Sequence, residues 1–172
     1  MSHDLTAQLQ REQLHRAAQD GDLARVNNLI EREYPLNRFD DLGKTPLHYA
    51  VHDNRLEVVK RLIEAGADVN AHDERVIGNT PLSDYARGCT FEMAKVLIDA
   101  GADPTIRGWM QMNALDRARE RKDTNARKII RLLEEAPTAG RYNPPLQWTA
   151  AVAALKLDSS IEARHNGITS CL

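Results

Sequence analysis

The chain repeats itself with a period near 33 residues, and few folds accommodate that. Leu14 stands 33 residues before Leu47, and Asn37 stands 33 before Asn70. Thr80-Pro81-Leu82 follows Thr45-Pro46-Leu47 by 35 residues, Gly101-Ala102-Asp103 follows Gly66-Ala67-Asp68 by 35, and Leu115 follows Leu82 by 33. Self-similarity at this period marks arrays in which each unit contacts only its neighbours, because one unit is too small to bury its apolar face alone.

The clearest copy runs from Gly43 to Asn70. Thr45 suits a helix N-cap and Pro46 the first helical position, where a missing N–H costs nothing. A short helix from Pro46 to His52 is predicted, with Leu47 and Ala50 on one face. Asn54 and Arg55 make a turn. A second helix follows from Leu56 to Ala65, with Leu56, Val59, Leu62 and Ile63 at the spacing of a buried stripe. Gly66 then stands where a left-handed residue ends a helix. The unit is two antiparallel helices and an extended loop.

Thr45-Pro46-Leu47-His48-Tyr49-Ala50 carries the pattern T-P-L-H-x-A, and Ala65-Gly66-Ala67-Asp68-Val69-Asn70 matches the loop that closes such a unit. Over about Leu14 to Ala136 the chain resembles the ankyrin-repeat family. The resemblance implies an all-α ankyrin-repeat solenoid of stacked helix-turn-helix units with loop fingers. It divides an array over 1–136 into repeats at about 12–37, 38–70, 71–105 and 106–136. By family position, the His48 imidazole ties repeats together through loop backbone. Asn70 sits in a context like that of loop asparagines hydroxylated in animal cells, and is read as a structural loop residue.

The copies depart from one another in informative ways. Leu5 and Leu9 begin a helix that extends the first repeat, where Leu23, Val26, Leu29 and Ile30 form the second apolar face and Glu33 replaces the glycine. Polar Gln10, Gln13, Asn27 and Asn28 suit a terminal cap. The third finger, His72 to Gly78, is two residues longer than the second. Ser83 takes the motif His position and Tyr85 the place of Ala50, which requires local space or a displaced helix. Phe91, Ala94, Leu97 and Ile98 are expected to be buried, with Cys89 at the inter-helix turn. In the fourth copy Ala114, Leu115 and Ala118 precede Ile129, Ile130, Leu132 and Leu133. Beyond Ala136 the breakers Pro137, Gly140, Pro144 and Pro145 predict a linker over 137–172. It contains a capping helix at 146–157 with Trp148, Val152 and Leu155, then a loose tail.

Composition narrows the function. With 23 Lys+Arg against 25 Asp+Glu the formal charge is −2, so no bulk attraction to nucleic acid or anionic membrane is expected. Arg117, Arg119, Arg121, Lys122, Arg127, Lys128 and Arg131 form the basic stretch, read as a solvated face paired with Glu120, Asp123, Glu134 and Glu135. No apolar run approaches a membrane span, and no secretion signal is visible. Cys89 and Cys171 are not a disulfide framework, so a reducing, cytoplasmic setting is expected; the chain is expected to be monomeric on its own. His48 and His52 have a zinc-compatible spacing but no third ligand. Ser83, Asp84 and Tyr85 lack catalytic partners, and no phosphate loop, G-x-S-x-G or CxxC occurs. Neither catalysis nor a cofactor nor a metal is expected.

The resemblance implies a protein partner bound on a concave surface of fingers and first helices. By family position its residues are Phe39, Asp41, Leu42 and Lys44; Glu74, Arg75, Val76, Ile77 and Asn79; and Trp109, Met110, Gln111 and Met112. His52, Asp53, Arg87 and Glu120 are added from the first-helix ends. Trp109, flanked by methionines, is the expected anchor, set against a role packed on its own repeat. The alternatives are a stoichiometric inhibitor of an immunity or antitoxin type, and phosphate or nucleic-acid binding through the basic fourth repeat.

Overall fold

The computed structural model describes residues 12–76 and 78–136. Among them there are helices and no strand. The helices pair as α1 (Gln13–Asp20) with α2 (Leu23–Glu31), α3 (Pro46–His52) with α4 (Leu56–Glu64), α5 (Pro81–Tyr85) with α6 (Phe91–Asp99), and α7 (Ala114–Arg119) with α8 (Ala126–Glu135). The first helices stack in the order α1, α3, α5, α7; α2 packs on α4, and α6 on α8. The expected helical start at Leu5 and Leu9 and the linker, capping helix and tail over 137–172 lie outside the described residues.

The period reflects a repeated set of backbone requirements. Each inter-helix turn of the first two units needs a left-handed residue, supplied by Gly21 (φ 79°) and Asn54 (φ 54°). Each second helix of the first three ends on another, Glu33 (φ 57°), Gly66 (φ 96°) and Gly101 (φ 93°). Glu33 thus adopts the glycine conformation against its side-chain preference. Thr45 begins α3 with a capping box in which His48 takes the part of the usual Glu. Thr80 and Thr90 accept from the third backbone N–H of α5 and α6.

The core is a column of small and branched residues at equivalent positions. Leu14, Leu47 and Leu82 are buried, as are Ala17, Ala50 and Ala118 between the paired helices. Each fully buried Leu contributes about 1.5–3 kcal/mol relative to exposure. Tyr85 cannot occupy that alanine column. Helix α5 stops there after 5 residues, and Ala86 becomes the buried small residue instead. The Tyr85 ring lies 5.8 Å from His52 and against Gly88, where an added Cβ would meet it at 3.2 Å.

One expectation about the second helices is corrected. Phe91 is 38% exposed, and Met93 takes the buried place with Ala94, Leu97 and Ile98. Leu56 is half-buried, with Val58 inside beside Val59, Leu62 and Ile63, and Leu23 is 37% exposed. All three are the first residues of their helices, at the rim of the stack, where the helical stripe has not yet turned inward. Ile30, Leu115, Ile130 and Leu132 are half-buried rather than core.

Candidate functional site

Three fingers carry the surface that the resemblance singles out. The second is a tight turn: Asp40 N–H donates to Lys44 O at 2.9 Å and Gly43 N–H to Asp40 O at 3.0 Å. The Asp40 carboxylate accepts from the Leu42 and Lys44 amides, each at 2.9 Å. The fourth repeats the same ring, Gly108 N–H to Met112 O at 3.1 Å and Gln111 N–H to Gly108 O at 3.0 Å. Gln111 there holds the left-handed place of Gly43, and Met110 is left-handed too (φ 60° and 58° for Met110 and Gln111, 69° for Gly43). The longer third finger closes on itself with Val76 N–H and Gly78 N–H both donating to Asp73 O. Its tip is a 3-10 turn, Glu74–Val76.

The fingers are locked side by side. Val76 lies over Gly43 so closely that a Cβ on Gly43 would meet Val76 Cγ2 at 2.5 Å. Asn79 joins four elements: its carbonyl accepts from His48 Nε2 at 2.8 Å, and its Nδ2 donates to Asp84 Oδ1 at 3.3 Å. Its Oδ1 accepts from Trp109 N–H at 3.0 Å and Arg117 Nη2 at 3.1 Å. The His48 Nδ1 accepts the Thr45 N–H at 3.0 Å, so the ring is the neutral tautomer protonated on Nε2. Both ring nitrogens are thereby occupied, as the motif position implied. Burial holds the His48 pKa below its ordinary value, against the opposing hydrogen bond to Asn79.

At the loop end the repeats are clamped by asparagines. Asn37 Oδ1 accepts from Asp68 N–H at 2.8 Å. Asn70 Oδ1 accepts from Asp103 N–H at 2.7 Å while its Nδ2 donates to Gly101 O at 2.9 Å.

Between the fingers opens a cleft of about 190 Å³, lined by Leu42, Gly43, Lys44, His48, Val76, Gly78, Asn79, Asp84 and Trp109. Lys44 Nζ pairs with Asp84 Oδ2 at 2.9 Å across it, so the partner that Asp84 lacked in the sequence comes from the preceding repeat. Burial raises the Asp84 pKa, but the hydrogen bond and charge of Lys44, with help from Asn79, outweigh it and hold the group below the usual carboxylate range. Beside Lys44, burial and a 2.5 Å hydrogen bond to Asp40 push the Tyr49 phenol well above its ordinary pKa.

The residues expected at the surface fall into three groups. Leu42, Val76, Trp109 and Met110 are large and exposed, at 71%, 53%, 58% and 64%. Asp41, Arg75 and Gln111 are exposed, and Phe39, Lys44, Asn79 and Met112 half-buried. At the first-helix ends His52 Nδ1 contacts Asp53 at 2.8 Å and Arg87 pairs with Glu120 at 2.5 Å. Ile77 lies outside the described residues, and for Glu74 only the backbone is described. Sequence reasoning missed Gly43, His48, Gly78 and Asp84 as cleft walls. The one signal that could have found Asp84 was the repeat register, which sets adjacent fingers side by side.

The basic fourth repeat is largely engaged with its own neighbours. Arg119 pairs with Glu134 and Arg131 with Glu135. Arg121 pairs with Asp123 and donates from Nη1 to the carbonyls of Ala86 and Cys89, at 3.0 and 2.8 Å, closing the third inter-helix turn. Arg117 is buried. No group of metal-ligating side chains occurs among the described residues, and no helix among them is long and apolar enough to cross a membrane.

Comparison with known proteins agrees with this geometry. The family described as ankyrin repeats (3 copies) matches residues 14–108. Among curated proteins, the chain is 36% identical over 75 residues to a probable E3 ubiquitin-protein ligase, XBOS33, of Oryza sativa subsp. japonica, covering 42% of this chain and 14% of that protein. It is 48% identical over 60 residues to palmitoyltransferase AKR1 of Naumovozyma castellii, covering 34% of this chain and 8% of that protein. It is 42% identical over 62 residues to human inversin, covering 36% and 6%. The chain thus spans under a sixth of the length of these relatives, whose names describe much larger proteins. A family match across more than half of the chain, on helix pairs stacked in that register, places it: this protein belongs to the ankyrin-repeat family.

Proposed function

We propose that the protein is a non-catalytic module that binds another protein through its finger tips and the ends of its first helices. Ankyrin repeats serve in general as protein–protein interaction modules. One observation supports the specific surface: Leu42, Val76 and Trp109, from three consecutive fingers, line one cleft and are all more than half exposed, as is Met110 beside Trp109. Single exposed apolar residues are ordinary, but a run of them on adjoining loops marks an interaction site. The scaffold beneath is hydrogen-bonded from repeat to repeat, so little conformational entropy is lost on binding. Trp109 is the anchor, Met110 an adaptable contact, and Arg75, Asp41, His52 and Arg87 the polar rim. A reducing, cytoplasmic setting fits the buried free thiol of Cys89.

The test is a Trp109→Ala variant. Partner binding should weaken by about 2 kcal/mol or more with helical content and melting temperature unchanged. A collapse of the melting temperature would make Trp109 a core residue and remove it from the site.

A further inference from the structure

The polar groups that line the cleft between the fingers are engaged with one another. Lys44 and Asp84, its two charged residues, face each other at 2.9 Å and cancel. Asp84 also accepts from Asn79 Nδ2, and the neutral His48 ring has both nitrogens bonded. The backbone donors of the fingers turn away from the opening. Leu42, Gly43 and Lys44 N–H go to Asp40, and Val76 and Gly78 N–H to Asp73. Trp109 N–H goes to Asn79 Oδ1. The Trp109 indole N–H, by contrast, has no partner among the described residues, and the residue is 58% exposed.

An occupant must match that pattern. A cation would find Asp84 paired and an anion would find Lys44 paired, so either would give up its water without a free counter-charge. An apolar side chain meets no such cost, and the exposed surfaces of Leu42, Val76 and Trp109 leave water against it. The volume of about 190 Å³ falls short of the roughly 300–1,000 Å³ of sites that take whole small molecules, and suits one side chain entering from a larger partner. Burying the indole also requires an acceptor for its N–H, because an unmet buried donor is costly. A peptide segment carries that acceptor in its own backbone carbonyls.

Resting on the finger-surface reading above, we infer that the partner protein inserts one large, uncharged apolar side chain into this cleft, against Leu42, Val76 and Trp109, and that a backbone carbonyl of the same segment accepts the Trp109 indole N–H. Charged groups of the partner then meet the polar rim and stay out of the cleft.

The experiment is selection of a displayed library of random peptides on the full chain, followed by affinity measurement of synthetic winners. Each winner should contain one large apolar residue coupled to Trp109. Its truncation to Ala should weaken binding to the parent chain about thirtyfold and add little on Trp109→Ala. Asp, Glu, Lys or Arg at that peptide position should weaken binding at least as much as Ala does. Trp109→Phe, which keeps an aromatic face and loses the N–H, should weaken binding about tenfold. Circular dichroism checks both protein variants, and the peptide-side changes carry the test if a variant does not fold. Winners that need Trp109 but place a charged residue at the coupled position, or that bind Trp109→Phe as tightly as the parent, overturn the inference and leave the finger surface standing. Winners that bind Trp109→Ala as tightly as the parent, or no winners at all, remove both.

Discussion

His48 Nε2 donates to Asn79 O across 2.8 Å, while the other nitrogen of the ring accepts from Thr45. One neutral imidazole therefore caps its own helix and holds the finger of the next repeat. Protonating Nδ1 would set a donor against the Thr45 N–H, and burial already disfavours the charged form. Because the folded pKa lies below the unfolded value of 6.5, the unfolded chain binds the proton more readily. The His48 contribution is complete above that value and is lost as pH falls from it toward the lower folded pKa. Stability measured by urea unfolding should decline between neutral pH and mildly acidic pH, and decline less in His48→Gln. Equal slopes in the two proteins would remove His48 from the pH dependence.

The Asn70 amide satisfies both Asp103 N–H and Gly101 O in the following loop. Asn70→Ala leaves a donor and an acceptor unpaired in a partly buried place, at a cost of about 1–3 kcal/mol. Hydrogen exchange should locate the loss in the third-repeat loop, with amide protection of Asp103 falling first. A loss spread evenly over the array would contradict a local clamp.

Met110 and Gln111 adopt consecutive left-handed conformations, with Met112 N–H returning to Trp109 O at 3.4 Å. That is a type I′ turn made without the Asn-Gly pair it favours. Each non-glycine residue there carries about 1–2 kcal/mol of strain. The double variant Met110→Asn with Gln111→Gly should therefore raise the denaturation midpoint while lowering partner affinity through loss of the Met110 contact. A lower midpoint would show that the strain is relieved by contacts of the native side chains.

Much of this was legible in the sequence because backbone conformation and motif spacing report on each other. Helix α3 begins at Pro46 and ends at His52 as the spacing predicts, Gly66 is left-handed, and Tyr85 truncates its helix. The rim positions Leu23, Leu56 and Phe91 were misjudged because a helical stripe does not say where along the helix the neighbouring unit begins. Asp84 gave no local clue, since its partner Lys44 is 40 residues away and meets it only through the stack. Arg117 and Arg121 looked like members of a solvated basic face. They are drawn inward: Arg121 donates to the carbonyls of Ala86 and Cys89 in the preceding repeat, and Arg117 donates to Asn79 Oδ1 there and to Trp109 O in its own finger.

The most direct measurement is quantitative affinity capture from the native cell extract with the parent chain and with Trp109→Ala, matched for melting temperature. The expected result is at least one protein retained by the parent and depleted on the variant by roughly the factor that 2 kcal/mol implies. Identical retention on both proteins, at equal thermal stability, would contradict a binding surface on the fingers.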